Sequence, residues 1–205
     1  VQEESLATTH LSQVYATLSK DAEYQNYYFA AGSKLSRNEI DIRLAGTGAR
    51  TEVSGVYYAK GKQHMDTSSL IQHLAPHCQS NQVYKGLLDE QSHGVFQGKI
   101  YVAKHAQQTN GYQLNQALLL SDQAVINSKP ELEIYADDVK CSHGSTTGQL
   151  DEDAIYYLRA RGISEKSAKA LMVTAFIGDV IDKINNESVV EYVHTALHDR
   201  FGWDF

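Results

Sequence analysis

A cysteine and a histidine stand two residues apart in VKCSHGSTTGQ, residues 139 to 149: Cys141 and His143. On an extended strand that spacing puts both side chains on one face, with Cα atoms ~6.5 to 7 Å apart, so a thiol and an imidazole can meet one reactant. A nucleophilic thiol with an imidazole base needs a third group to orient the base, and neither that group nor a protease signature surrounds Cys141. Thiolate and imidazole also suit iron, zinc and iron–sulfur clusters. Four ligands are usual there and this segment supplies two, which fits a site shared across a subunit interface. The remaining reading has no chemistry: both residues merely end a strand.

A second grouping is HLAPHC, residues 73 to 78, with His73 and His77 at the i, i+4 spacing that zinc enzymes use on a helix. Pro76 opposes that reading, because it removes a backbone donor and biases Ala75 away from helical dihedrals. The alternative for His73, His77 and Cys78 is a β-corner whose His and Cys are buried and hydrogen-bonded. The thirteen tyrosines would suit an aromatic platform for carbohydrate. Tyr is equally a strand former, and no clustered carboxylates mark a groove, so a polysaccharide-processing β-helix enzyme stands as the alternative function. No GxxxxGK[ST] loop is present to cradle a nucleotide, so no nucleotide is expected to bind this chain.

The elements that must position these residues change character near residue 150. Residues 1 to 149 carry both prolines and short runs of Val, Ile, Leu, Tyr and Thr between turn residues. Candidate strands are 51 to 59, 69 to 74, 82 to 88, 94 to 102, 112 to 120, 124 to 127 and 131 to 136, with Lys129-Pro130 read as a connection. They begin roughly ten to fifteen residues apart with no amphipathic helix between them, which argues against βαβ units. Hairpin dipeptides are almost absent, Asn110-Gly111 being the exception. Pattern alone leaves a β-sandwich and a parallel β-helix equally open. Leu11, Val14, Tyr15 and Leu18 fall at helical spacing, so periodicity taken alone makes residues 9 to 19 a helix.

From 150 to 205 the pattern is helical. DEDAIYYLRARG opens with three acids and stops at Gly162; Ser164 caps a second helix with apolar positions Ala168, Leu171, Met172, Ala175, Phe176, Val180 and Ile184; Asn186 caps a third that ends at Gly202. The domain division expected is therefore a β core over 1–149 and a small C-terminal helical domain over 150–205. The run Ala168 to Ile181 is interrupted by Thr174, Gly178 and Asp179 and is shorter than the ~20 residues of a membrane span. A net charge of −7 without a dense basic patch offers no footprint for nucleic acid. Two cysteines make no disulfide framework, and a reduced, cytoplasmic setting is expected.

The run KPELEIYADDVKCSHGSTTGQLDEDAIYYLRARGIS, residues 129 to 164, resembles the signature region of the SufD family, part of the Suf scaffold for iron–sulfur cluster assembly. SRNEIDIRLAGTGARTEVSGVYYAKGKQHMD (36 to 66) and HLAPHCQSNQVYKGLLDEQSHGVFQGKIYV (73 to 102) match it in order, and so does 115 to 144. The resemblance implies a right-handed parallel β-helix followed by a C-terminal helical region, and it makes residues 9 to 30 strands of an early coil. It implies a non-catalytic scaffold that pairs through its β-helix with a SufB-type subunit and through its helices with the SufC ATPase. Cys141 and His143 would lie at the SufB interface as metal ligands to a transient, nascent iron–sulfur cluster, His143 the stronger candidate. In the sister SufB pattern, the scaffold cysteine would fall on Leu158, which has no thiol. Members of the SufD family carry a region before the β-helix, so a truncated or proteolysed form is expected, whose exposed coil edges would permit a homodimer in isolation.

Overall fold

The computed structural model describes the backbone of residues 1–201 and the side chains of residues 1–198. Ten strands precede three helices: β1 (Thr9–Leu18), β2 (Glu23–Ala30), β3 (Leu35–Leu44), β4 (Arg50–Ala59), β5 (His64–His73), β6 (Gln79–Leu88), β7 (His93–Val102), β8 (Thr109–Leu119), β9 (Val125–Ile134), β10 (Val139–Gln149), α1 (Glu152–Ala160), α2 (Glu165–Ile181) and α3 (Glu187–Phe201). The odd strands form one five-stranded parallel sheet in the order β1-β3-β5-β7-β9, and the even strands form the other, β10-β8-β6-β4-β2. Successive strands alternate between the sheets, so the chain winds as a parallel β-solenoid.

The interior follows from period-2 alternation. In β5, Met65, Thr67, Ser69, Ile71 and His73 are buried while the residues between them are half-buried. Corner amides bond to neighbouring coils: Asp21 donates to Thr47 O at 3.0 Å and His77 to Gln107 O at 2.9 Å in the next coil, and Gln91 donates to Gly61 O at 3.0 Å in the preceding one. Asn110-Gly111 lies inside β8 and is not a hairpin turn.

Periodicity and composition misread three places. Residues 9 to 18 are strand, as the resemblance implies and against the helical spacing of the apolar residues, with Leu11 and Tyr15 69% and 71% exposed and Leu18 buried in a period of two. Residues 125–134, spanning most of the two expected segments, form one strand, β9, that runs through Lys129-Pro130; among the described residues β9 pairs only with β7, and an edge tolerates a residue without an N–H. The strand β3 was missing from the pattern because Arg37, Glu39, Asp41 and Arg43 occupy its outward positions, while Ile40, Ile42 and Leu44 point into the core.

The caps are where the sequence places them. Asp151 Oδ1 accepts from the amides of Asp153 and Ala154, Ser164 Oγ from Ser167, and Asn186 Oδ1 from Val189. Gly162 stops α1 with φ of 89°, a conformation that a side chain would strain. The stop expected at Gly202 lies outside the described residues. The buried face of α2 is Ala168, Ala170, Val173, Ile177, Val180 and Ile181, whereas Leu171 is 48% exposed. A helix apolar on nearly all sides does not encode its own facing; the sheet selects it. Here Phe29, Val56, Tyr58, Val83, Leu87 and Leu118 form an outer apolar patch on the even sheet, which α2 and α3 cover, so β4 and β6 are buried on both faces. Each such side chain contributes roughly 1.5–3 kcal/mol by leaving water. Lys85 then fixes the register: its Nζ donates to Phe176 O at 2.6 Å and pairs with Asp179 at 2.7 Å. Among the described residues, no helix is long and apolar enough to cross a membrane.

Candidate functional site

Cys141 and His143 sit on β10, the last strand of the even sheet, whose single strand partner among the described residues is β8. Parity places both toward the interior. The Cys141 Sγ lies 3.4 Å from where a Cβ on Gly111 would stand and joins the cluster of Ile100, Leu132, Ile134 and Val139. Two positions beyond His143, Ser145 Oγ and Ser128 Oγ of β9 are 2.8 Å apart across the interior, and Asn115 Nδ2 donates to the same Ser128 Oγ at 3.1 Å. No further coil of the described chain covers this rung, so Cys141 is half-buried and His143 exposed. Burial pushes the Cys141 thiol up, against a smaller opposing effect of a backbone hydrogen bond from Gly111. The neutral thiol is thereby favoured, and a metal binding here would have to displace its proton.

The other grouping does not converge. His73 is fully buried in β5 and its Nε2 is 2.8 Å from Ser80 Oγ; burial lowers its pKa to about 4. Cys78 is fully buried with its Sγ 3.3 Å from Gly46 O, and burial raises its thiol pKa. His77 occupies the corner with φ of 62° and is exposed. These are the buried, hydrogen-bonded His and Cys of a β-corner, with His77 turned to solvent. Among the described residues no group of three or more His, Cys, Asp or Glu is arranged to hold a metal. Cys141 and His143 thus place one thiol and one imidazole at an open end of the solenoid, with no third such group arranged beside them among the described residues. Leu158 is half-buried on α1 and offers no ligand. What the sequence did not single out is the polar interior beneath β10, Gln113, Asn115 and Ser128; its only signal is a coil repeat of about thirty residues, which becomes usable once the register His143 to Gln113 is known.

Comparison with known proteins agrees with this architecture. Residues 1–176 match the family described as SUF system FeS cluster assembly, SufBD core domain. The chain belongs to that family. A SufBD family iron–sulfur cluster assembly protein of Synechocystis is 39% identical over 183 residues, covering 89% of this chain and 40% of the relative. The iron–sulfur cluster assembly protein SufD of Escherichia coli is 32% identical over 191 residues, covering 93% and 45%. A chloroplastic Arabidopsis thaliana protein, ABCI7, is 35% identical over 190 residues, covering 92% and 40%. The SufBD core seen here therefore spans less than half the length of these relatives, and they support the SufD-type resemblance read from residues 129 to 164.

Proposed function

We propose that this chain is a scaffold subunit for iron–sulfur cluster assembly, which holds a nascent cluster at a seam between its terminal coil and a SufB-type subunit. The observation that carries the reading is the placement of Cys141 and His143 on one inward face of β10, an edge strand whose second edge carries no strand among the described residues. The strand offers backbone groups to a second solenoid, and the two donors leave half of a usual ligand set for that partner to supply. The cluster is cargo, built from iron and sulfide delivered to the seam. The role of this chain is to present the imidazole of His143 and the deprotonated sulfur of Cys141 at a defined spacing, while the Ile100, Leu132 and Val139 cluster shields one side from water.

The helices supply the second half of the proposal, docking of a SufC-type ATPase. Tyr156, Tyr157 and Leu171 expose apolar surface on α1 and α2. A single residue, Leu150, separates the end of β10 from the Asp151 cap of α1, so a pull on α1 acts directly on the strand that carries the donors. Lys85 and the pair Lys183–Glu52 at 2.7 Å tie α2 and the segment after it to the even sheet, so force on the helices reaches the solenoid as a body. No turnover is assigned to the chain itself. Of the two carboxylates that line the groove on the even sheet, Glu52 is engaged by Lys183 and Asn81 and Glu23 accepts from Gln25.

The test is iron and acid-labile sulfide in the co-expressed assembly, wild type against His143→Ala. Loss of cluster from an intact assembly is expected. Unchanged iron and sulfide would reduce Cys141 and His143 to strand-end architecture.

A further inference from the structure

The rung beneath His143 contains a group without a structural explanation. Gln113 of β8 is the register partner of His143, and Gln82 of β6 is the partner of Gln113, so three inward side chains stack along the solenoid axis. Gln113 is 3% exposed, and both of its amide atoms are buried with no hydrogen-bond partner among the described residues. The Nε2 of Gln82 is also unpartnered, while its Oε1 accepts from Ser69 Oγ at 2.8 Å. A primary amide offers two donors and two acceptor sites, and an interior position that satisfies none of them is unusual. Sequence makes deliberate room for it: a Cβ on Gly98, across the interior on β7, would stand 2.1 Å from Gln113 Nε2, so any larger residue there would displace the amide.

The neighbouring rung shows that polar interior groups reach the edge strand, through Asn115, Ser128 and Ser145. At the His143 rung the buried amide and the exposed imidazole belong to register partners on adjacent strands, and no hydrogen bond joins them. A histidine that gives one ring nitrogen to a metal carries a proton on the other, and that N–H requires an acceptor to hold the ring and its tautomer. We propose that Gln113 is the positioning residue for His143, its Oε1 accepting the ring N–H when the imidazole turns inward to serve iron. This inference rests on the reading of His143 as a ligand to the nascent cluster.

Two measurements on the full subunit test it. The first is iron and acid-labile sulfide in the co-expressed assembly for wild type, His143→Ala, Gln113→Met and Gln113→Glu. Methionine keeps the volume and removes the unpaired amide, so folding is retained and the melting temperature reports it. Gln113→Met is expected to retain iron against a chelator ~10-fold or more weakly, and Gln113→Glu, whose carboxylate accepts the same bond, to restore it. Wild-type retention in Gln113→Met, in an assembly that His143→Ala empties, overturns the assignment. The second is the ¹⁵N spectrum of the His143 ring nitrogens, which reads the tautomer without any cluster. One dominant tautomer in wild type and a mixture in Gln113→Met support the positioning role; identical spectra overturn it. If His143→Ala keeps its cluster, the ligand reading fails by itself, and the ring-nitrogen spectrum still decides whether Gln113 orients the imidazole.

Discussion

His73 and Cys78 in the middle of the solenoid, and Cys141 and His143 at its end, are the same side chains on the same kind of inward strand face or corner. They differ in what lies beyond them. His73 has Leu44 of β3 on one side and Val102 of β7 on the other, and its imidazole is sealed against Ser80. His143 has Gln113 on one side and no described strand on the other. In a solenoid each coil buries its face only against its neighbours, so the position of a coil in the stack decides whether an inward histidine is core or ligand. Residue type and local spacing do not make that distinction; HLAPHC has the richer motif and the smaller chemical reach.

The largest expected effect contrasts the two regions as packing. Phe96 is fully buried in the central coils, its ring 5.3 Å from that of Tyr84, and Phe96→Ala should cost about 3–5 kcal/mol in urea unfolding. Leu132→Ala, at a half-buried site on β9, should cost less than half of that. Equal losses would mean that the terminal coil is as consolidated as the centre, and the comparison would break.

Acid sharpens it next. Burial holds His73 neutral with a pKa of about 4, below the ordinary 6.5. The unfolded chain takes up this proton first, so the stability from a neutral His73 is complete above pH 6.5. It is lost as the pH falls toward 4, by roughly 3 kcal/mol for a shift of this size. His73→Leu should flatten that part of the acid slope. An unaltered slope between pH 6.5 and 4 would place the acid sensitivity elsewhere.

The coil repeat was legible where inward positions are apolar, as in GVFQGKIYV and TEVSGVYYA, and illegible where charge occupies the outward face, as in β3. Helix caps at Asp151, Ser164 and Asn186 were readable because capping is local chemistry. The facing of α2 was not, because its surface is apolar at Leu171 as well as at Val173 and the choice is made by the sheet and Lys85. At the site, the Cys141 and His143 spacing was visible, but the amide under His143 comes from a residue thirty positions earlier, and only register brings it there. The resemblance resolved sandwich against solenoid, which composition had left open.

The smallest effect is read at the two thiols. Burial raises both above their ordinary range, so each should react with an electrophile such as Ellman's reagent more slowly than a free thiol near neutral pH. Their access differs: Cys141 is half-exposed at the open end, and Cys78 is closed inside the corner against Gly46. Labelling should therefore split into a faster phase at Cys141, rising as the pH approaches the thiol pKa, and a slower one at Cys78 that requires opening of the coil and grows with added urea. A single rate for both would show that the end of the solenoid is no more open than its middle. Repeating the experiment in the co-expressed assembly separates two explanations of an open end. If β10 is the shared edge, a partner strand covers it and the fast phase disappears while the slow one stays. If the fast phase persists, the edge carries no partner, and Cys141 and His143 are strand-end residues exposed for want of another coil.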